Sequence, residues 1–221
     1  MQCGPIRHTA TKPSGAPHDL EVVPHYRHVG IDLPQEAGIQ DVFRHLANDV
    51  ARTAAIAAAV RDAVAQGRKV LVLTQRTEHL NAIRAELASL TPPPFVLHGR
   101  MSRKQRAELV ADLDALPPDA PRVLLSTGKL VGEGFDHPPL DTLVLAMPVS
   151  WKGTLQQYAG RLHREHAGKT DVRIIDFVDT GHPALLRMWD KRQRGYPAMG
   201  YRVKAQRELG EISEVCFDTM A

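Results

Sequence analysis

The sequence predicts an α/β protein built on a doubly wound parallel sheet. Three observations carry that prediction. Short, mostly apolar runs recur at residues 69–74, 95–97, 122–125, 141–145 and 172–177, the pattern of strands buried on both faces. Stretches with apolar residues at helical spacing separate most of them, as expected of crossover helices covering such a sheet. The residues that are unusual for a core, glycine clusters and closely spaced arginines, fall in the segments that follow strands. Beyond the carboxyl ends of its strands is where an open parallel sheet carries its function.

Each element has its own signal. Residues 1–37 are punctuated by Pro5, Pro13, Pro17, Pro24 and Pro34 and hold one short extended piece, Leu20-Glu21-Val22-Val23, so they read as a tail or linker from a preceding domain. Residues 41–66 carry Ala, Val and Ile at helical spacing, with Gly67 placed to end the helix. After the strand at 69–74, Thr77 is placed to cap a helix running to about Leu90, with Leu80, Ile83 and Leu87 facing inward and Pro92-Pro93-Pro94 closing it. Ser102 is the expected N-cap of a helix reaching Leu116. A further helix is expected over residues 154–163, and another over 183–194. The predicted organisation is a linker at 1–37, one α/β domain at 38–181, and a basic helical extension at 182–221. Right-handed crossovers leave only doubly wound topologies for it.

Composition narrows the function classes. Among 221 residues, 43% are hydrophobic and 24% charged, ordinary for a globular protein, and no apolar run approaches the ~20 residues that span a bilayer. The amino-terminal residues Met1-Gln2-Cys3-Gly4-Pro5 offer no signal-peptide core. Cys3 and Cys216 have no metal-ligand spacing and read as reduced thiols of a cytoplasmic protein. The eleven histidines include no pair at metal-binding spacing joined to a carboxylate, so no metal site is expected. A net charge of +3 is compatible with a nucleic-acid partner without establishing one.

Two segments carry candidate chemistry. After the strand at 122–125 comes Ser126-Thr127-Gly128-Lys129-Leu130-Val131-Gly132-Glu133-Gly134-Phe135-Asp136. Its glycines let backbone amides approach a ligand, although a plain glycine-rich turn has the same composition. The helix after the next strand reads Gln156-Gln157-Tyr158-Ala159-Gly160-Arg161-Leu162-His163-Arg164. Gly160 inside a helix costs about 1 kcal/mol against Ala, which close approach of another backbone or of a nucleotide would explain. Arg161 and Arg164 are one turn apart and can reach a common anion; a solvated basic face is the alternative.

Taken together, residues 69–176 resemble the C-terminal RecA-like domain of superfamily 2 helicases. Thr127 with Gly134-Phe135-Asp136 is similar to that family's motif V, and Gln157-x-x-Gly160-Arg161-x-x-Arg164 to its motif VI. Residues 69–76 resemble motif IV, and His98-Gly99-Arg100-Met101 the loop after the following strand. Glu133-Gly134-Phe135-Asp136 and Val149-Ser150-Trp151-Lys152-Gly153-Thr154 are more similar to DNA translocases of restriction, repair and bacterial conflict systems than to RNA-directed relatives. The resemblance implies a RecA-like P-loop NTPase fold. In such enzymes ATP with Mg2+ lies between two RecA-like domains, and the second supplies arginines to the γ-phosphoryl. It makes Arg161 and Arg164 the catalytic candidates, and Gly134, Asp136 and Gln157 the nucleotide-side candidates. Gly99, Arg100 and Thr127 fall on the nucleic-acid side. Tyr158 stands where many relatives carry a basic residue, which puts one phosphate contact in doubt.

The 221 residues contain no Walker A loop. Gly168-Lys169-Thr170 has His163 rather than Gly five residues before it, and precedes a strand instead of opening a helix. No Asp-Glu box occurs either. The expectation is therefore the C-terminal half of an ATP-dependent helicase or translocase, inactive as an ATPase alone. It would work with a Walker-bearing domain in cis or trans on DNA or RNA, and with a nuclease or primase if the narrower resemblance holds. Met1 to Arg7 would then trail from that first domain, and the chain would be a fragment, a split subunit or a remnant. The competing expectation is a non-enzymatic module that binds nucleic acid or protein. In the extension, Arg187, Lys191, Arg192, Arg194, Arg202, Lys204 and Arg207 alternate with Trp189, Tyr196 and Tyr201. That pattern suits strand phosphates and stacked bases, with Arg192 and Arg194 the candidates; a helix packing its aromatics on the domain fits equally.

Overall fold

A computed structural model describes residues 19–28, 32–127, 137–149, 155–166 and 168–205. Its centre is a seven-stranded sheet formed by β1 (Asp19–Arg27), β2 (Lys69–Thr74), β3 (Phe95–Leu97), β4 (Arg122–Thr127), β5 (Thr142–Leu145), β6 (Asp171–Asp179) and β7 (Arg202–Val203). The spatial order is β3-β4-β2-β5-β6-β1-β7, and every pairing is parallel. The helices are α1 (Ile39–Asn48), α2 (Val50–Ala65), α3 (Thr77–Glu86), α4 (Arg103–Asp114), α5 (Gln156–Leu162) and α6 (Pro183–Gly195), followed by a 3-10 turn at Tyr196–Met199.

Side chains alternate across a strand, and β2 shows the consequence. Val70 and Val72 enter the core under α2 and α3, with Ile56, Val60, Leu80 and Ile83. Leu71 and Leu73 enter the opposite core, under α4, α5 and α6, with Leu113, Tyr158, Leu162 and Trp189. Burial on both faces is why these strands read as unbroken apolar runs. The doubly wound parallel fold expected from sequence is the one observed.

Four expectations are corrected. The extended piece inside residues 1–37 is no linker: β1 pairs with β6 along its whole length, from Asp19 opposite Asp171 to Arg27 opposite Asp179. Its Pro24 is accommodated because β7 pairs only with Glu21 and Val22, leaving the rest of β1 an edge, where a missing N–H is tolerated. The helix expected over 41–66 is two helices. Asp49 between them is extended, and its carboxylate accepts from the Arg52 backbone N–H at 2.8 Å as the N-cap of α2. At α3 the N-cap is Arg76, without a side-chain bond, and the helix ends at Glu86, well before the prolines. Ser102 does cap α4, in a reciprocal capping box with Gln105. The described part of the extension, residues 182–205, also joins the domain, through α6 in the core and β7 in the sheet.

Candidate functional site at the carboxyl edge of the sheet

The strands end together on one edge. Thr127, the last residue of β4, lies in register with Thr74, the last of β2, while Leu145 at the end of β5 aligns with Leu73 and Asp176. Gln75 donates to the Pro148 carbonyl at 3.1 Å, tying the exits of β2 and β5 together. Gly99 and Arg100 form the turn after β3 and are exposed, with the Arg100 N–H donating to His98 Nδ1 at 3.3 Å. A Cβ placed on Gly99 would meet nothing within 4 Å. Gly134 and Asp136 lie outside the described residues, as do Gly128 to Phe135 and Ser150 to Thr154.

Helix α5 presents the arginine motif. Tyr158, Ala159 and Leu162 are buried in the core, whereas Gln157 and Gly160 are exposed and Arg161 is half-buried. Gln157, Gly160 and Arg161 stand at i, i+3 and i+4, so they share the outer face. Arg164 follows in the closing turn, its N–H donating to the Arg161 carbonyl at 3.2 Å. The reason expected for Gly160 is not found inside the chain, because an added Cβ there meets nothing within 4 Å. The face is open. Tyr158 is in the core, and burial raises its phenol pKa while nearby Arg161 draws it down. The Gly168-Lys169-Thr170 segment is a turn, with Gly168 at φ +80°, and Lys169 Nζ donates to the Pro138 and Arg164 carbonyls at 2.9 and 3.0 Å.

Beneath this edge lies a buried charge network that the sequence reading missed. Arg52, 0% exposed, donates through Nε and Nη2 to the Asp179 carboxylate and through Nη1 to the Ala146 carbonyl at 2.6 Å. Arg27 adds a second cation, 3.7 Å from Asp179 and 3.0 Å from Asp49. Ala146 follows the last residue of β5, so Arg52 fixes the backbone that leaves toward α5. His79 is fully buried nearby, with Nδ1 3.0 Å from Thr74 Oγ1 and Nε2 without a hydrogen-bond partner. Burial, reinforced by the Arg52 charge, pushes its pKa down to about 4. One signal could have revealed the network: Arg52 occupies the same stripe as Ile56, Ala59, Val60 and Ala63 in α2, a charge on an apolar face.

Arg192 is corrected in role. It is 1% exposed, and its Nε and Nη2 donate to the Asp176 carboxylate at 2.8 and 3.0 Å, with Tyr196 Oη donating to the same carboxylate at 2.7 Å. A guanidinium so enclosed cannot meet a strand phosphate. Asp176 and Asp179 are thus both partners of buried arginines. Trp189, Tyr196 and Tyr201 are also buried, which selects the packing alternative for the aromatics. Arg194 remains on the surface beside Asp190 at 3.3 Å.

At the opposite edge, a cavity of about 270 Å³ is bordered by Asp114, Arg122, His137 and His166. It is remote from the strand ends: Arg122 is the first residue of β4. Among the described residues no group of His, Cys, Asp and Glu could hold a metal ion, and no helix is long and apolar enough to cross a membrane.

The fold has solved counterparts. T4 UvsW superposes with a TM-score of 0.65 at 16% identity over 84% of this chain and 41% of its own. Dbp5 of S. cerevisiae superposes with a TM-score of 0.52 at 14% identity, again over 84% of this chain and 41% of its own. These likenesses establish the RecA-like fold. A probable helicase, D10, of Escherichia phage T5 is 25% identical over 154 residues, which is 68% of this chain and 34% of that protein. Protein 108L of invertebrate iridescent virus 3, uncharacterized, is 37% identical over 100 residues, 44% of this chain and 88% of that protein. The chain thus spans about a third of the T5 helicase. The helicase conserved C-terminal domain family matches residues 53–166, just over half of the sequence, from the first turn of α2 through the arginine motif, and the chain belongs to that family.

Proposed function

We propose that this chain is the arginine-bearing half of an ATP-dependent nucleic-acid motor, acting on DNA in the first place, with a second RecA-like domain supplying the Walker loops. The observation that carries the reading is the outer face of α5, where Gln157, Gly160 and Arg161 stand together with open space over Gly160. That face suits a polyphosphate: it carries guanidinium groups, and a Cβ added at Gly160 would meet nothing within 4 Å. ATP with Mg2+, held by the other domain, would supply the phosphoryl group. Arg161 and Arg164 would stabilise the charge that develops on it, a task suited to a planar group that stays protonated. Gln157 would sense the nucleotide from one turn away, and Gly134 with Asp136 would complete the ribose side. Gly99, Arg100, Thr127 and Arg194 would hold strand phosphates; Arg192 is withdrawn from that set. Kinship with the T5 helicase supports the reading, as does the Dbp5 structure, which holds RNA and ADP BeF3. The narrower assignment to restriction or conflict systems, with a nuclease or primase partner, rests on the residues around Glu133 and Trp151 alone.

The test is ATP turnover by the full chain combined with a Walker-bearing RecA-like domain, in the presence of DNA. DNA-stimulated turnover should fall at least a thousandfold in Arg161→Ala, the loss typical of an arginine finger. Turnover indifferent to Arg161 and Arg164 would leave the chain a binding module.

A further inference from the structure

We infer that the segment 195–203 is a built-in brace for the arginine helix, with Tyr201 a positioning residue that acts through His163. This rests on the proposed role of Arg161 and Arg164 only for its consequence in turnover, not for the contact itself.

His163 is the residue between those two arginines at which α5 ends, its N–H donating to the Ala159 carbonyl at 3.2 Å. Its Nε2 lies 2.9 Å from Tyr201 Oη, with the rings tilted at 31° and their centroids 5.4 Å apart. Tyr201 is 2% exposed, so its hydroxyl has few alternatives to this partner, and a buried hydroxyl left without one is costly. Burial also holds the phenol protonated.

The tyrosine is itself fixed from several sides. After α6 the chain makes a 3-10 turn and reverses at Gly200, which has φ +86°. The Tyr201 N–H donates to the Tyr196 carbonyl at 3.1 Å, and the two rings meet edge-on at 6.3 Å. Tyr196 in turn is anchored on Asp176 by its hydroxyl. Immediately beyond, Arg202 and Val203 join β1 as β7, and the Lys204 N–H donates to the Val22 carbonyl at 2.8 Å. A rigid element thus carries one polar group into the closing turn of α5. Preorganised arginines are what phosphoryl transfer requires, since a small misplacement is costly in rate. No other use for the Tyr201 hydroxyl is needed to account for its burial.

The experiment is NMR and amide hydrogen exchange on the full chain, comparing wild type, Tyr201→Phe and Arg202→Ala. The phenylalanine keeps the ring and removes only the hydroxyl. His163 Nε2 should change its 15N shift, and the amides of residues 161–164 should exchange roughly fivefold faster, the effect of one net hydrogen bond. Arg202→Ala removes an exposed ion pair with Asp19 on the same segment and should change neither. An unmoved His163 resonance, or acceleration spread evenly over the whole domain, overturns the brace. Should Tyr201→Phe fail to fold, the wild-type spectrum decides: His163 Nε2 must show the shift of a hydrogen-bonded ring nitrogen, and a free-nitrogen shift overturns the proposal. In the assembled motor, Tyr201→Phe should lower kcat several-fold with KM little changed. If the NMR effects appear while Arg161→Ala leaves turnover intact, the brace stands and the motor reading falls.

Discussion

Arg52 and Asp179 are 127 positions apart in the chain and meet as a buried ion pair at the carboxyl edge, with Nη2 and Oδ2 3.0 Å apart. The pair joins the start of α2 to the end of β6, and through the Ala146 carbonyl it also holds the exit of β5. Removing one partner of such a pair strands the other, at about 3–5 kcal/mol. Arg27 stands 3.7 Å from Asp179 and offsets part of that, so Arg52→Met should lose about 3 kcal/mol in urea unfolding. The exposed pair of Arg194 with Asp190 is the contrast: Arg194→Ala should change stability by less than about 0.5 kcal/mol. Equal losses in the two variants would contradict the burial argument.

His79 gives the domain an acid sensitivity whose sign is fixed by its environment. Its pKa is about 4 in the fold against 6.5 when free. Below pH 6.5 the unfolded chain takes up a proton that the folded chain refuses. Stability attributable to this group is therefore complete above pH 6.5, falls as the pH drops, and stops falling near pH 4. The limiting slope is about 1.4 kcal/mol per pH unit and the total about 3 kcal/mol. His25 and His137, whose pKa values are also lowered chiefly by burial, steepen the decline. Asp141, raised by burial, opposes it at the acid end. Urea midpoints measured between pH 7.5 and 4.5 should show the decline, and His79→Gln should flatten it. An unchanged slope in that variant would assign the effect elsewhere.

Much of this was legible in the sequence, and the failures have physical causes. The central strands declared themselves because a sheet covered on both faces leaves no polar alternation to confuse with a helix. Strand β1 was legible only as the extended piece at 20–23, because Pro24 interrupts it and is tolerable only where most of the strand lies on an edge. Arg192 was misread from composition: counting basic residues in 187–207 suggests a surface. Periodicity tells otherwise, since Leu185, Trp189 and Arg192 are spaced four and three apart and all are buried. The arginine motif on α5 was legible as a pattern, whereas the brace from Tyr201 was not, because nothing local in sequence links residues 163 and 201.

The purified chain should show no ATPase activity above background, with or without DNA. Its 221 residues hold no phosphate loop, and arginines can stabilise transferring charge only where another group presents the nucleotide. Phosphate release over hours at millimolar ATP is a sufficient assay. Robust turnover that disappears in Arg161→Ala would mean that the chain carries a complete site.

The chain should bind DNA weakly and almost without sequence preference, because phosphate contacts carry no base information. Gly99, Arg100 and Thr127 leave the carboxyl ends of adjacent strands β3 and β4, and Arg194 adds an exposed cation on α6. Two to four phosphate contacts would give a log–log salt slope of about −2 to −4. Arg100→Ala should lower affinity and reduce the slope by about one. Arg194→Ala should act in the same direction but less, since Asp190 already competes for its guanidinium. Arg161→Ala should leave both quantities nearly unchanged if the nucleotide is its target. Arg192 is unsuitable for this test, because removing it strands Asp176 in the core and unfolds the domain before it reports on binding. Fluorescence anisotropy across a salt series separates the cases. A slope that falls with Arg161 rather than Arg100 would place the nucleic acid across α5 and exchange the two surfaces.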